Sequence, residues 1–284
     1  MKKKEEIKMK KGLLKVVSLG LAAVLSCGLL VGCGGNDSAG ADDKNIKIGA
    51  SPSPHAEILA QVEAAVEAQG YTLEIIEYND YVIPNTAVEQ GELDANFFQH
   101  KPYLDDFNAN NGTNIVSVAA IHFEPLGIYS SSVEEVSEIG EGALIGVPND
   151  ATNEARALLL LEANGLITLK EGAGVSATIN DIESNPLNIE IKEIEAAQLP
   201  LSLLDLDAAV INGNYAISGG LKVSDAIAVE ESTSIAADTY ANIVAVKAGN
   251  EENEKVQVLI NALKSEEVKS YIESTYAGAV VPVF

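Results

Sequence analysis

The stretch VPNDATNEAR, residues 147–156, decides how this chain is organised. An apolar strand leads into it, a Pro-Asn-Asp turn follows, and a helix is predicted to begin with Thr152 or Asn153 as its N-cap. Arg156, in the first turn of that helix, is the only arginine in 284 residues. A guanidinium can hold a carboxylate through two parallel hydrogen bonds, and a helix N-terminus favours anions. We therefore expect Arg156 to receive a ligand's carboxylate; the alternative is a surface arginine paired with an acidic side chain.

Strands and helices alternate on both sides of this stretch. Strands are predicted over 46–50, 73–78, 93–98, 115–129, 143–147, 189–194, 208–211 and 240–246. Helices fall between them and at the carboxyl end of the chain. Because repeated βα units imply parallel sheets covered by helices, two such sets predict an α/β chain with two domains and a ligand cleft between them. The predicted domains are 45–125 together with 245–284, and 126–244.

The first 33 residues have the order of an export signal. Seven lysines come first, an uncharged run from Val16 to Gly32 follows, and Cys33 ends the segment. The ending LVGC resembles a bacterial lipobox, which predicts removal of residues 1–32 and lipidation of Cys33; the alternative is an uncleaved anchor helix. Residues 34–44 are small and polar, as in a flexible tether. Neither cysteine would remain as a free thiol, so disulfide and thiol chemistry are excluded.

Acidic residues outnumber basic residues 42 to 18 in the whole chain. Removal of residues 1–32 takes away seven lysines and two glutamates, which leaves 11 basic and 40 acidic side chains. This composition cannot form a basic patch, so nucleic acid is excluded as a partner. An anionic bilayer surface should also repel the protein, so the lipid on Cys33 must hold it at the membrane.

Aromatic residues are concentrated in DANFFQHKPY, residues 94–103, which holds three of the 14 Phe and Tyr side chains. Phe98, His100 and Tyr103 fall at a strand end and a helix start, where side chains converge. Aromatic walls with polar tips suit a small, partly apolar ligand. Because neighbouring strand residues point to opposite faces, we assign Phe97 to the core and Phe98 to the cleft.

Six short segments in collinear order resemble the signature of NlpA-type methionine-binding lipoproteins, the substrate-binding subunits of bacterial methionine ABC importers. They are SPSPH (51–55), NDYVIPN (79–85), FQHKPYL (98–104), PNDATN (148–153) with Arg156, VIN (210–212) and YAN (240–242). The resemblance covers residues 46–284. It implies a two-lobed periplasmic-binding-protein-like (type II) fold, with no enzymatic activity and no cofactor.

The function that this resemblance implies is capture of methionine outside the cytoplasm by a lipid-anchored monomer. L-methionine is expected ahead of D-methionine or a methionine dipeptide. The ligand would bind one lobe, the lobes would close around it and exclude water, and the closed form would dock on the permease of an importer driven by its ATPase.

The resemblance also implies which side chains contact the ligand. Those expected against its apolar side chain are Tyr81, Phe98, His100 and Tyr103. Those expected at its amino-acid head group are Arg156 for the carboxylate, and Asn212 and Asn242, whose amide oxygens would accept from the ammonium. Asp80 and Glu124 are further candidates for the ammonium. Ala155 and Ala197 depart from the family pattern, in which glycine and proline are expected at these positions.

Two other classes of function, a metal-binding importer subunit and an enzyme, agree less well with the sequence. A zinc- or manganese-binding importer subunit would use His55, His100 and His122 with a carboxylate. The separations of 45 and 22 residues contain no short-range pair such as His-x-x-x-His, by which zinc sites are usually recognised. An enzyme is disfavoured because the sequence has no Gly-x-Ser-x-Gly, His-Glu-x-x-His or phosphate-loop motif. A purely structural surface protein would not require a lone arginine beside clustered aromatic residues.

Overall fold

The computed structural model describes residues 44–232 and 235–284, which belong to one compact unit. Its strands are β1 (Asn45–Ala50), β2 (Thr72–Glu77), β3 (Ala95–His100), β4 (Ile115–Phe123), β5 (Gly127–Tyr129), β6 (Leu144–Pro148), β7 (Thr168–Leu169), β8 (Ile182–Ser184), β9 (Glu190–Ile194), β10 (Ala208–Ile211), β11 (Ala228–Val229), β12 (Asn242–Lys247) and β13 (Val281–Pro282). Its α-helices are α1 (Glu57–Ala60), α2 (Glu63–Ala68), α3 (Ile83–Gln90), α4 (Lys101–Asn111), α5 (Ala151–Ala163), α6 (Leu199–Ser202), α7 (Gly213–Ser218), α8 (Ile235–Thr239), α9 (Glu254–Leu263) and α10 (Glu266–Tyr276).

Two mixed sheets organise most of these strands. The first has the order β13-β4-β12-β3-β1-β2, in which β1 runs parallel to β2 and β3, and β12 runs antiparallel to β3 and β4. The second has the order β11-β5-β10-β6-β9, in which β6 runs parallel to β9 and β10, and β5 runs antiparallel to β10 and β11. The predicted α/β class with two sheet-based lobes is confirmed, whereas the expectation of parallel sheets is wrong, because both sheets also contain antiparallel pairs. The limits between the two predicted domains stay a prediction.

Helix α5 begins earlier than the sequence predicts, because Asp150 is its N-cap instead of Thr152 or Asn153. The backbone of Asp150 is extended, and its carboxylate accepts the backbone N–H of Asn153 at 3.0 Å. The hydroxyl of Thr152 donates to the same carboxylate at 3.1 Å. A carboxylate at this position satisfies a free N–H and complements the positive end of the helix. Arg156 is therefore the sixth residue of α5 and lies in its second turn, not in the first turn as the sequence predicts.

The apolar region 115–129 forms two strands and not the single long strand that the sequence predicts. β4 ends at Phe123 and β5 starts at Gly127. Pro125 lies between them and lacks the backbone N–H that a continuous strand would use for pairing. The chain therefore passes from the first sheet, which contains β4, to the second sheet, which contains β5, at this break. Glu124, inside the break, is left free of either sheet and is buried.

Each sheet has its own apolar core. Ile48, Phe97 and Ile121 are fully buried in the core of the first sheet, as the assignment of Phe97 to the core predicts. Ile145 and Leu158 are fully buried in the core of the second sheet. Each sheet therefore buries apolar surface of its own.

The predicted signal peptide, the lipidation site Cys33 and all of the predicted tether except Lys44 lie outside the described residues. Within residues 44–232 and 235–284, none of the helices combines the length and the apolar character that crossing a bilayer requires.

Candidate functional site

The structure brings all seven residues predicted as ligand contacts to one cavity. Its lining is Tyr81, Phe98, Gln99, His100, Tyr103, Glu124, Asn153, Arg156, Asn212, Gly213, Asn214 and Asn242. Most of these residues lie at the ends of strands from both sheets or in the helices that follow them. Of the two further ammonium candidates, Glu124 lines the cavity and Asp80 does not; Ala155 and Ala197 are also absent from the lining.

An aromatic wall closes one side of the cavity. The ring centroid of Tyr81 lies 5.7 Å from that of Phe98 and 5.6 Å from that of Tyr103. The hydroxyl of Tyr103 donates to the backbone carbonyl of Tyr81 at 3.1 Å, and the hydroxyl of Tyr81 donates to the Asn214 side chain at 2.6 Å. Because both hydroxyls are paired within the protein, the rings offer apolar surface to a ligand.

Arg156 is buried, and most of its hydrogen-bond donors are already used. Nε donates to both carboxylate oxygens of Glu230 at 3.1 Å. Nη2 donates to Glu230 as well, and to the backbone carbonyl of Glu124 at 2.8 Å. A guanidinium has five N–H groups, so the two on Nη1 remain. Within the described residues Nη1 makes no hydrogen bond. Arg156 can therefore donate to a ligand carboxylate through Nη1, but not through Nε and Nη2 as well.

The alternative of a surface arginine is wrong, because Arg156 is buried and lines the cavity, although it does pair with an acid. Its binding of a ligand carboxylate stays a prediction. The sequence offered no signal for Glu230, which is one of 42 acidic residues and lies 74 positions away. The guanidinium is further held over the ring of Tyr240, at 4.4 Å from the centroid.

Asn153 is the centre of a polar network that joins the two sheets. Its Oδ1 accepts from His100 Nε2 at 3.1 Å and from Asn212 Nδ2 at 2.8 Å. Its Nδ2 donates to the two carboxylate oxygens of Asp150 at 2.9 and 3.0 Å. His100 Nδ1 accepts the backbone N–H of Tyr103, so its proton is on Nε2. The sequence had suggested Asn153 only as a helix cap.

Two buried amide groups at the cavity each have one atom without a protein partner among the described residues. Asn212 Oδ1 is an unpaired acceptor, because its Nδ2 is the atom that Asn153 binds. Asn214 Nδ2 is an unpaired donor, because its Oδ1 is taken by Tyr81. Buried polar groups are normally paired, so both atoms indicate a ligand with donors and acceptors of its own. Asn214 was missed, although the sequence Asn212-Gly213-Asn214 at a strand end is a signal for it.

Glu124 is a buried carboxyl group at the edge of the cavity. Its Oε1 accepts from His122 Nε2 at 2.7 Å and lies 3.4 Å from His55 Nε2. Burial raises the pKa of Glu124, while nearby His55, the backbone N–H of Asn214 and Arg156 oppose this rise. A cation next to this carboxyl group would favour its charged form.

His55, His122 and Glu124 are the groups within the described residues that could form a metal site, with ligand atoms within 4.8 Å of one another. The predicted set of three histidines does not form, since both nitrogens of His100 are used elsewhere. The Nδ1 atoms of His55 and His122 are buried and unpaired. Metal-bound histidines usually donate their second N–H to an acceptor, and here binding through Nε2 would bury two unpaired N–H groups. The donor set therefore fits hydrogen bonding to Glu124 better than a metal ion.

The buried histidines predict that acid destabilises the fold. Burial lowers the pKa of His55 from 6.5 to about 4, and of His100 and His122 to about 3. Such groups take up protons only on unfolding, so stability falls as the pH drops below about 6.5. Between pH 7.5 and 5.5 we expect a loss on the order of 1 kcal/mol for each histidine in the free energy of unfolding, measured with urea.

Glu124 and Asp150, whose pKa values are raised by burial, act in the opposite sense and offset part of this loss. The change His55→Gln isolates the histidine contribution, because it should reduce the loss between pH 7.5 and 5.5 by about 1 kcal/mol. An unchanged pH dependence in this variant would contradict the prediction.

Gly213 is predicted to be necessary for the position of Glu124. A Cβ atom at this residue would lie 2.7 Å from Glu124 Cβ and 2.9 Å from its Oε2. Gly213→Ala should therefore displace the carboxyl group, weaken ligand binding and lower the free energy of unfolding by about 1–3 kcal/mol. Gly140→Ala is the matched control, since nothing lies within 4 Å of its added Cβ. Equal stability and equal binding in the two variants would contradict the prediction.

The chain is similar over nearly its whole length to proteins of one family. The NlpA lipoprotein family model matches residues 46–284. The Bacillus subtilis (strain 168) protein named methionine-binding lipoprotein MetQ is 38% identical over 275 residues, covering 95% of this chain and 99% of that protein. A lipoprotein of known structure from Ruminococcus gnavus is 56% identical, with a TM-score of 0.84 over 85% of this chain and 100% of that chain. The structure of a nutrient binding protein from Burkholderia cenocepacia bound to methionine is 44% identical, with a TM-score of 0.80 over 84% of this chain and 100% of that chain.

Proposed function

Because the chain belongs to the NlpA lipoprotein family, we propose that it captures methionine outside the cytoplasm and delivers it to an ABC importer. The observation that carries this proposal is the cavity's polarity. One side is aromatic, and the other combines Arg156 with the unpaired acceptor of Asn212 and the unpaired donor of Asn214. A zwitterionic amino acid with a long apolar side chain complements both sides.

The head group of methionine has a partner for each of its charges. Its carboxylate would accept from Arg156 Nη1 and Asn214 Nδ2. Its ammonium would donate to Asn212 Oδ1 and lie near the carboxylate of Glu124. This pairing matters because an uncompensated buried ion costs several kcal/mol. The Arg156–Glu230 pair is neutral as a unit, so Glu124 is the group that balances the ammonium.

The methionine side chain would lie against Tyr81, Phe98 and Tyr103. A thioether packs favourably at aromatic ring edges, with about 0.3–1.5 kcal/mol for each contact. The ring of His100 completes this wall and is neutral, because burial lowers its pKa to about 3. An apolar group therefore meets no charge on this side of the cavity.

Delivery would follow from closure of the two lobes around the ligand. The hydrogen bonds from His100 to Asn153 and from Tyr81 to Asn214 connect segments of the two sheets across the cavity. The closed form would dock on the permease, and the chain would act as a monomer without enzymatic activity. The lipobox-like ending at Cys33 supports anchoring of the protein to the membrane by lipid.

The proposal can be tested on the full-length chain, extracted from membranes in mild detergent. Denaturation followed by mass spectrometry should release methionine at close to one molecule per chain. Calorimetry with L-methionine, D-methionine, methionyl-methionine and norleucine then ranks the ligands, with norleucine as the control in which a methylene group replaces the sulfur atom. A stoichiometric metal without any amino acid, or no saturable binding of a methionine compound, would overturn the proposal.

A further inference from the structure

Asn242 is a cavity residue whose contribution depends on how its amide is turned. It begins β12 and is buried, and it lines the cavity between the two sheets. One end of an amide accepts hydrogen bonds and the other end donates them. The same side chain can thus either donate a hydrogen bond to a ligand or accept one from it. The family resemblance suggested that its oxygen faces the ligand's ammonium.

The neighbouring His55 determines this orientation. His55 Nε2 lies 3.0 Å from Asn242 Oδ1 and 3.4 Å from Glu124 Oε1, and its Nδ1 is buried without a partner. A proton on Nδ1 would bury an unpaired N–H and turn the Nε2 lone pair towards the Glu124 carboxylate. A proton on Nε2 gives Asn242 a donor and leaves only an unused acceptor, which costs less. His55 therefore donates to Asn242.

The ring of His55 is fixed in this position by its surroundings. It is fully buried, and its centroid lies 4.7 Å from that of Phe97 in an edge-to-face arrangement and 4.9 Å from that of His122. A ring that is packed on both sides cannot turn away to release its partner. The Asn242 oxygen is thus occupied by the protein itself.

We infer that His55 is a positioning residue that turns the Asn242 amide so that Nδ2 donates to the ligand's carboxylate. The inference rests on the proposed function and replaces the expectation that Asn242 accepts from the ammonium. Nδ2 makes no hydrogen bond within the described residues, and so it is available to a ligand. Asn242 then acts on the same side of the head group as Arg156 Nη1 and Asn214 Nδ2.

Asn212 is held in the opposite orientation by the same kind of contact. Asn153 Nδ2 donates to the Asp150 carboxylate, so Asn153 offers its oxygen to Asn212. Asn212 consequently presents Oδ1 to the cavity. Two asparagines therefore meet the ligand with opposite polarity, and their neighbours determine which of them donates.

The tautomer of His55 provides a direct test that needs no variant. Two-dimensional ¹H–¹⁵N spectra of the full-length chain with ¹⁵N-labelled histidine should place the His55 proton on Nε2. His55→Gln identifies the resonance. A proton on Nδ1 would overturn the inference, because Nε2 would then accept from Asn242 and the amide would be reversed.

A double-mutant cycle tests whether His55 acts through Asn242. His55→Phe removes the donor and keeps a ring, and we expect it to weaken methionine binding on the order of 10- to 100-fold. In the Asn242→Ala background the same change should weaken binding less than about threefold, since the amide it orients is gone. Equal losses in both backgrounds would assign His55 a role in packing alone and overturn the inference.

Methioninamide, which lacks the carboxylate charge, tests the polarity. His55→Phe should reduce the preference for methionine over methioninamide on the order of tenfold or more. 4-(Methylthio)butanoate lacks only the ammonium group. His55→Phe should weaken its binding by the same factor as it weakens the binding of methionine. An unchanged preference for methionine over methioninamide would overturn the inference.

Two further variants separate orientation from packing. His55→Gln retains an N–H donor and should recover most of the binding lost in His55→Phe; a full loss in a folded His55→Gln protein contradicts the inference. Phe97→Leu loosens the packing around His55 without removing its donor. It should therefore lower Tm and leave the preference for methionine over methioninamide unchanged. If the parent chain binds no methionine at all, the proposed function fails, whereas the tautomer measurement still tests the orientation of Asn242.

Discussion

Replacement of Arg156 by lysine is expected to weaken methionine binding by about 2–5 kcal/mol, or roughly 30- to several-thousand-fold. The guanidinium serves Glu230 through Nε and Nη2, the Glu124 carbonyl through Nη2, and the ligand through Nη1. An ammonium is a single point of charge and cannot reach these directions at once. It would pair with Glu230 and leave the ligand carboxylate without its cation. Calorimetric titration with methionine measures the loss.

Lys170→Ala is the control for a change in charge. Lys170 is an exposed residue that pairs with Asp181 at 3.7 Å, and its removal should alter methionine affinity less than about twofold. Binding by Arg156→Lys within threefold of the parent would contradict the role given to Arg156.

Asn153→Ala is expected to lower the free energy of unfolding by about 2–5 kcal/mol and to weaken methionine binding at least about tenfold. The change leaves His100 Nε2 and Asn212 Nδ2 without their shared partner, while Asp150 keeps the backbone N–H of residue 153 and the Thr152 hydroxyl. His100 and Asn212 are both buried, and an unpaired buried group costs about 1–3 kcal/mol. Asn212 also loses the contact that turns its oxygen to the cavity. Urea denaturation and calorimetry measure the two effects.

Asn110→Ala is the matched control, because Asn110 is exposed in α4. Its effect on the free energy of unfolding should stay within about 0.5 kcal/mol. If Asn153→Ala were as mild as this control, Asn153 would not be the centre of the network.

The alternation of strands and helices predicted the α/β class, and local chemistry predicted much of the site. The segment FQHKPY places Phe98, His100 and Tyr103 at a strand end and helix start in both the sequence and the structure. Short-range signals of this kind need only the few residues around them. The N-cap of α5 was placed wrongly because several neighbouring residues in Asp150–Asn153 are all good caps. Residue preference alone does not identify which of them is the N-cap. The extended backbone of Asp150 in the structure identifies it.

Long-range pairs account for most of what the sequence did not predict. Glu230 follows the edge strand β11 and is far from Arg156 in the sequence, so any of the many acidic residues would have been an equal candidate. The orientation of Asn242 depends on His55, 187 positions away. Such features arise only when tertiary packing brings the two residues together.

The two hydrogen bonds that cross the cavity have a consequence for kinetics. His100–Asn153 and Tyr81–Asn214 join protein to protein, so opening must break them even though neither involves the ligand. Net contributions of about 1 kcal/mol each slow opening roughly fivefold for each bond. The residence time of methionine then depends on these two hydrogen bonds as well as on its own contacts with the protein. A variant such as Tyr81→Phe would accelerate exchange with the surroundings while leaving most of the ring contacts in place.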